Sequence, residues 1–306
     1  MTLAWALASL AVPALLGALA GAARLLDERA VEPLNRYALY FAFPALIAEG
    51  LLSSELAVPR SAGFWLVVPA ALLACVLVAR LTLPREAPAL ALVLSFGNVA
   101  YLGLPLVERA LGPSAVPVAS LAVALHVLLG LTVGPALLLR WSGSDHALSS
   151  VLARVARQPL VWAPVAGLLA RLLPEGAREA LSTLLAPLSR SAAPVALFLL
   201  GLYLYANRAR VRAPDRGDVA HVAFKLLLLP GVTLGLLLGA RSLDAVTAPE
   251  ARVLFLLSAM PAAITTFAIA HEHGVGAERT SRAIVTTTLF SAITMPLSLW
   301  IASAIL

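Results

Sequence analysis

The sequence predicts an all-α polytopic membrane protein: ten transmembrane helices as two inverted five-helix repeats, with broken crossover helices four and nine. Three observations predict it. Of 306 residues, 61% are apolar and 12% charged, with a mean hydropathy of +0.93; a soluble domain averages about 45–50% apolar and about 25% charged. The apolar residues fall into ten runs, separated by charges or by Pro/Gly clusters. Several prolines recur at one offset between the two halves. A helix needs about 20 mostly apolar residues to cross the hydrocarbon, so ten use roughly 200 and leave about 100 for loops. That leaves no room for a second soluble domain.

The segments follow in order. Segment one, 3–23, has no basic residue before it and is followed by further spans, so it is expected to be a retained helix and not a signal peptide. Segment two, 35–54, begins at the end of a charged stretch, includes Arg36, and carries Pro44 and Glu49. Segment three, 63–83, lies between Arg60 and Arg85. Segments four, 88–110, and five, 115–139, complete the first repeat, 1–140. Residues 141–157 are polar at Ser142–Asp145 and then amphipathic, which predicts a cytoplasmic connector. The second repeat, 158–306, holds the short segment six, 158–173, then 182–206 with Arg190, 219–240, 250–271 and 282–305.

Charge orients these spans. With the N-terminus outside, cytoplasmic loops hold 15 of the 22 basic residues, most densely from Arg208 to Lys225. The positive-inside rule therefore predicts both termini outside. It also absorbs the net charge of +6, so nucleic acid is not needed as a partner. The lone Cys75 permits no intrachain disulfide and no cysteine-rich metal site. There is no Walker-type phosphate loop for ATP-driven transport. No nucleophile–base pair stands at coherent spacing, so the chain does not read as an enzyme.

A shift of 161 residues places Pro69 on Pro230, Pro88 on Pro249, Ser120 on Ser281 and Pro135 on Pro296. A slightly different shift places Pro44 on Pro194. Five spans per copy is odd, so the second copy enters the membrane from the opposite side, as in many alternating-access carriers.

The chemistry is expected where the apolar pattern breaks. Segment four reads Ser95-Phe-Gly97-Asn98-Val-Ala-Tyr101-Leu-Gly103-Leu-Pro105. Proline removes a backbone donor and glycine eases departure from helical geometry. Backbone groups freed at mid-membrane depth cost several kcal/mol each unless they are satisfied, and Asn98 offers both donors and an acceptor for that task. The equivalent segment nine reads Ser258-Ala-Met-Pro261-Ala-Ala-Ile-Thr265. Interrupted segments at matching positions point to a transporter binding site. The expected substrate contacts are Gly97, Asn98, Tyr101, Gly103, Pro105, Ser258, Pro261 and Thr265. Pro105 and Pro261 suit the first turn of a half-helix, whose free N–H groups favour an anion.

Other polar residues are accessory. His126, near the middle of segment five, is a candidate for a substrate carboxylate or a proton relay. Lys225, near the inner end of segment eight, either attracts a carboxylate or snorkels to the interface. Arg190 and Glu49 read as outer-interface residues, with an anionic substrate the sharper alternative for Arg190. His271 and His273 are two apart and point to different helix faces, so no metal site is expected. Thr286, Thr287, Thr288, Ser291 and Thr294 suit bonds across helices or to their own backbone. No cofactor is expected.

Asn98-Val-Ala-Tyr-Leu-Gly-Leu-Pro-Leu106 resembles the signature of the auxin efflux carrier family of membrane transport proteins. Tyr40–Leu46, Ala193–Gly201, Lys225 before Pro230, Pro261 with Ala270 and Gly274, and the run from Thr287 to Pro296 resemble the family in the same order. The resemblance implies ten helices in two inverted repeats, with helices four and nine crossing at their midpoints beside the substrate. It implies export or exchange of small organic anions such as carboxylates, homodimers and, at this size, a bacterial inner-membrane location. Asn98 matches the family's asparagine at the first break. The plant carriers' asparagine at the second break is replaced here by Ala259 and Met260, and their long cytosolic loop is absent. Two alternatives stand beside this: a sodium-coupled symporter of the bile-acid type, and a membrane sensor that transports nothing.

Overall fold

A computed structural model describes residues 3–52, 59, 61–142, 155–211, 215–272 and 276–306. Among them every regular element is helical, and the only β-type pairing is one isolated antiparallel bridge between Gly97 and Ala262. The helices are α1 (Leu3–Ala22), α2 (Val31–Tyr37), α3 (Phe43–Leu52), α4 (Ala62–Thr82), α5 (Ala87–Ser95), α6 (Leu104–Leu111) and α7 (Val116–Ser142). There follow α8 (Pro159–Ala170), α9 (Glu175–Ala206), α10 (Arg216–Ala223), α11 (Leu229–Ser242), α12 (Ala248–Ser258), α13 (Thr265–Glu272) and α14 (Ala277–Ala304). Most of the predicted connector, 143–154, lies outside the described residues.

Three π-helical turns, Ala38–Ala42, Val99–Gly103 and Phe224–Leu228, join α2 to α3, lead into α6 and join α10 to α11. Each stands just before a proline: Pro44, Pro105 or Pro230. The cause is steric. Proline clashes with the carbonyl four residues back, and a wider i→i+5 turn relieves that clash without ending the helix.

Among the described residues, five helical stretches are long and apolar enough to cross a membrane, including α4, the α10–α11 pair and α14. The outward faces agree with that. Along α14, Leu289, Ile293, Leu297 and Trp300 form an exposed apolar stripe, while Thr287, Ser291 and Ser298 are buried. Polar side chains turned in and apolar ones turned out is the pattern that lipid selects, since hydroxyls find hydrogen-bond partners only inside.

The chain divides into two compact units, each drawing on both sequence halves. The first comprises Met1–Val58, Ala100–Ala124 and Arg157–Arg208. Its main packing sets α1 against α9 and α3 against α8. Both contacts depend on missing side chains. A Cβ on Gly17 would collide with the Phe198 carbonyl, one on Gly201 with the Ala14 carbonyl, and one on Gly167 with that of Ala48. Tyr37 and Ser191 share a hydrogen bond of 2.7 Å across α2 and α9. The 32 residues of α9 begin seven positions before the predicted segment, because Glu175, Arg178 and Glu179 are good helix formers although too polar to count as span.

The second unit comprises Pro59–Val99, Leu125–Ala156 and Ala209–Leu306. Ala71, Leu72, Cys75, Leu90, Leu94 and Leu229 close its core between α4, α5 and α11. At one end an ionic network joins three segments that are distant in sequence. Arg279 of α14 reaches Asp215 at 2.7 Å, Asp218 at 3.2 Å and Glu86 at 3.3 Å, and Arg282 pairs with Asp218. Asp215 and Asp218 also form the capping box of α10. The hydrogen bond from Arg279 holds the Asp215 carboxyl down at about 2.

Candidate functional site

The site is built where two helices stop. α5 ends at Ser95, whose hydroxyl turns back to the Ala91 and Leu92 carbonyls at 2.7 and 3.1 Å. α12 ends at Ser258, whose hydroxyl donates to the Phe255 carbonyl at 2.7 Å. The unwound residues that follow then run antiparallel to each other. The Asn98 N–H donates to the Pro261 carbonyl at 2.7 Å, and the Ala263 N–H donates to the Phe96 carbonyl at 3.0 Å. The Ala262 N–H is taken by the Thr287 hydroxyl of α14 at 3.1 Å, and that hydroxyl donates to the Ala283 carbonyl at 2.6 Å. The freed backbone is thus satisfied by backbone and by one threonine, which is what allows irregular chain at this depth.

Asn98 is therefore not spent on backbone repair. Its side chain is buried, with 3% of its surface exposed, and its Nδ2 has no hydrogen-bond partner among the described residues. A buried amide donor left open costs about 1–3 kcal/mol, so its retention needs a reason. Beside it lies Lys225, which belongs to the π turn before Pro230 and is 2% exposed. Lys225 does not snorkel. Its Nζ donates to the carbonyl of Leu94, in the last turn of α5, at 3.0 Å. It packs so close to Gly97 that a Cβ there would stand 3.2 Å from Nζ. A side chain at Gly97 would crowd the ammonium, which would have to yield by a few tenths of an ångström.

The remaining predicted residues are placed as follows. Thr265 opens α13, so the second half of segment nine begins there and not at Pro261, which sits in the unwound stretch. In segment four, helical geometry resumes at Val99, six residues before Pro105. Sequence favours the prolines as first-turn residues; Pro105 is one, the second residue of α6 directly after the π turn, whereas Pro261 stays in the unwound stretch and supplies a carbonyl to the antiparallel pairing.

Tyr101, Gly103 and Pro105 belong to the first unit. The Tyr101 hydroxyl donates to Asn35 Oδ1 at 2.5 Å and its ring stacks on Phe43 at 5.1 Å, so its polar atom is already engaged. Gly103 closes the π turn. Pro105 lines a cavity with Arg109 and Arg190. His126 is buried in α7. His271 stacks on Phe267, and His273 lies outside the described residues. Sequence reasoning missed the Leu94 carbonyl and Asn35 as partners; neither pairing leaves a local signature, because the contacts span 131 and 66 residues.

Comparison with known proteins now decides the family. The model of a family described as "Membrane transport protein" matches residues 3–301. The chain belongs to this family, that of the auxin efflux carriers. It is a multi-pass membrane transport protein. It is also 31% identical, over 288 residues, to a protein of Rhizobium meliloti (strain 1021) named "Putative malonate transporter", a match that covers 89% of this chain and 88% of that one. The motif that carries the resemblance in sequence, Asn98 to Leu106, begins at the last unwound residue of the break in segment four and runs through the π turn into α6.

Proposed function

We propose that this family member is a secondary transporter, for efflux or exchange, of small organic anions, with carboxylates as the substrate class, and that it works by alternating access. The observation that carries the proposal is the open Asn98 amide beside the buried Lys225, at the crossing of two interrupted helices. A carboxylate accepts hydrogen bonds only and carries the charge that a buried ammonium lacks, so it complements both groups. The half-helix N-termini at Val99 and Thr265 add partial positive charge. Gly97, Asn98, Pro261 and Thr265 form the contact set, Ser258 ends the helix that leads into it, and His126 is the accessory candidate for a proton. Tyr101 and Gly103 act by holding the turn that follows in the chain, and Pro105 by lining a cavity of the first unit.

The name carried by the relative makes malonate and other short dicarboxylates the first substrates to test. We read the ten segments as ten spans in two inverted repeats, 1–140 and 158–306, with both termini outside the bacterial inner membrane and with homodimers as the assembly. The pairing of segments one and two with six and seven in a single unit supports that symmetry. We read the chain as a carrier and not an enzyme. Lys225 weighs against the sodium-coupled reading, since a fixed cation at the crossing competes with a bound one.

A ligand screen on the purified protein is the test. Malonate or a related carboxylate is expected to raise the melting temperature in a concentration-dependent way, since a ligand that binds only the folded state stabilises by mass action. If no organic acid shifts it and neutral amides do, the anion reading fails and a sensor for neutral ligands becomes the better account.

A further inference from the structure

A second charged cavity lies wholly within the first unit. Its volume is about 320 Å³, and its walls include Pro13 of α1, Leu46 of α3, Pro105, Glu108 and Arg109 of α6, and Arg190 of α9. Two cations from different helices thus face one space. Neither guanidinium forms a hydrogen bond or an ion pair with a described residue. Arg190 stands midway along α9, between a polar N-terminal half and an apolar C-terminal half. Charged groups along membrane helices are expensive unless they face a partner or a water-filled cavity. Ser189, buried in the same wall, adds a hydroxyl.

The charge count specifies the ligand. Two arginines repel each other across a shared cavity, and Glu108 offsets one of them, which leaves one unbalanced positive charge. A single carboxylate or phosphate group neutralises it, and the planar guanidinium matches the paired oxygens of either. The floor at Pro105 belongs to the same half of segment four that resumes after Asn98, seven residues away in sequence.

We propose that this cavity is a second anion site, in which Arg109 and Arg190 hold one carboxylate or phosphate group. As a waiting place for substrate it rests on the carrier function proposed above; a lipid headgroup is the other source of the same chemistry.

Arginine-selective labelling of the full-length protein with phenylglyoxal, read residue by residue by mass spectrometry, tests it. All three of Arg24, Arg109 and Arg190 are exposed enough to react; malonate is expected to slow modification of Arg109 and Arg190 at least threefold and to leave Arg24, outside the cavity, unchanged. The neutral isostere malonamide is expected to have no effect. Protection is expected to persist in Asn98→Ala and to vanish at Arg109 in Arg190→Gln, with melting temperature and elution volume unchanged. Protection by short-chain phosphatidylglycerol and not by malonate keeps the site and assigns it to the bilayer. Equal labelling with and without either anion overturns it, as does full protection of Arg109 in Arg190→Gln. The readout needs no transport, so loss of malonate transport with protection intact counts against the carrier function and not against this site.

Discussion

Two side chains at the break carry most of the weight of the proposed function, and both are unusual for where they lie. Asn98 has a buried donor with no hydrogen-bond partner among the described residues. Substitution by alanine removes that donor together with its desolvation cost, so Asn98→Ala is expected to keep or slightly raise the melting temperature while weakening substrate. Loss of one hydrogen bond to a charged group corresponds to about 1.5–3 kcal/mol, or roughly 10–150-fold in Kd. Calorimetric titration with the substrate that emerges from the screen measures it; unchanged affinity removes Asn98 from the site. Lys225 is the complementary case. Lys225→Met keeps the length and apolar stem but removes the charge and the bond to Leu94. The fold is expected to hold, because burying methionine avoids the desolvation of an ammonium, while uptake of a carboxylate falls at least tenfold. Retained uptake would make Lys225 a structural residue only. A third residue acts at the surface of its unit. Arg279 lowers the Asp215 carboxyl to about 2. Its folded value lies below its unfolded one, so the stabilisation is full above about pH 4 and is lost as pH falls toward 2. Asp215→Asn is therefore expected to melt below wild type at pH 6 and to match it near pH 2. A constant difference across that range would show that the pair does not titrate with folding.

At the scale of elements, the break is held by two backbone pairs, by Lys225 on the Leu94 carbonyl and by one hydroxyl from α14. Thr287 accepts from the Ala262 N–H and donates within α14, so it bonds both across helices and to its own backbone. Thr287→Val keeps the shape and strands one buried N–H, at a cost of about 1–3 kcal/mol; Thr287→Ser is expected to restore stability and transport together. Equal melting temperatures for wild type and valine variants would show that the N–H is satisfied otherwise. Much of this level was legible in the sequence. Glycines, an asparagine and two prolines inside apolar runs marked both breaks, and the charged loops separated the runs. What could not be read was long-range. Lys225 looks like an interfacial lysine because its run begins nearby, and only the packing of α5 beside the α10–α11 pair shows that its head is buried. The restart at Val99 was hidden for a related reason. Proline marks where a helix is perturbed, but whether the chain unwinds or only widens by one π turn depends on the partners available. At Pro105, Pro44 and Pro230 it widens.

Across the whole molecule the chain folds as two units, each assembled from both halves of the sequence. Composition fixed the physical class: a chain that is 61% apolar with exposed Leu, Ile and Trp stripes belongs in lipid. The proposed function rests on the interruptions, where polar groups that lipid would exclude are either satisfied by neighbours or, at Asn98, without a partner among the described residues. The account stands on the claim that this opening binds a carboxylate and carries it across the bilayer. Uptake of labelled malonate and other short carboxylates into proteoliposomes, preloaded with the same unlabelled acid, measures that directly. Saturable counterflow that depends on the protein and is strongly reduced in Asn98→Ala is the predicted result. The absence of counterflow for every organic acid, with the protein folded and inserted in either orientation, would contradict it.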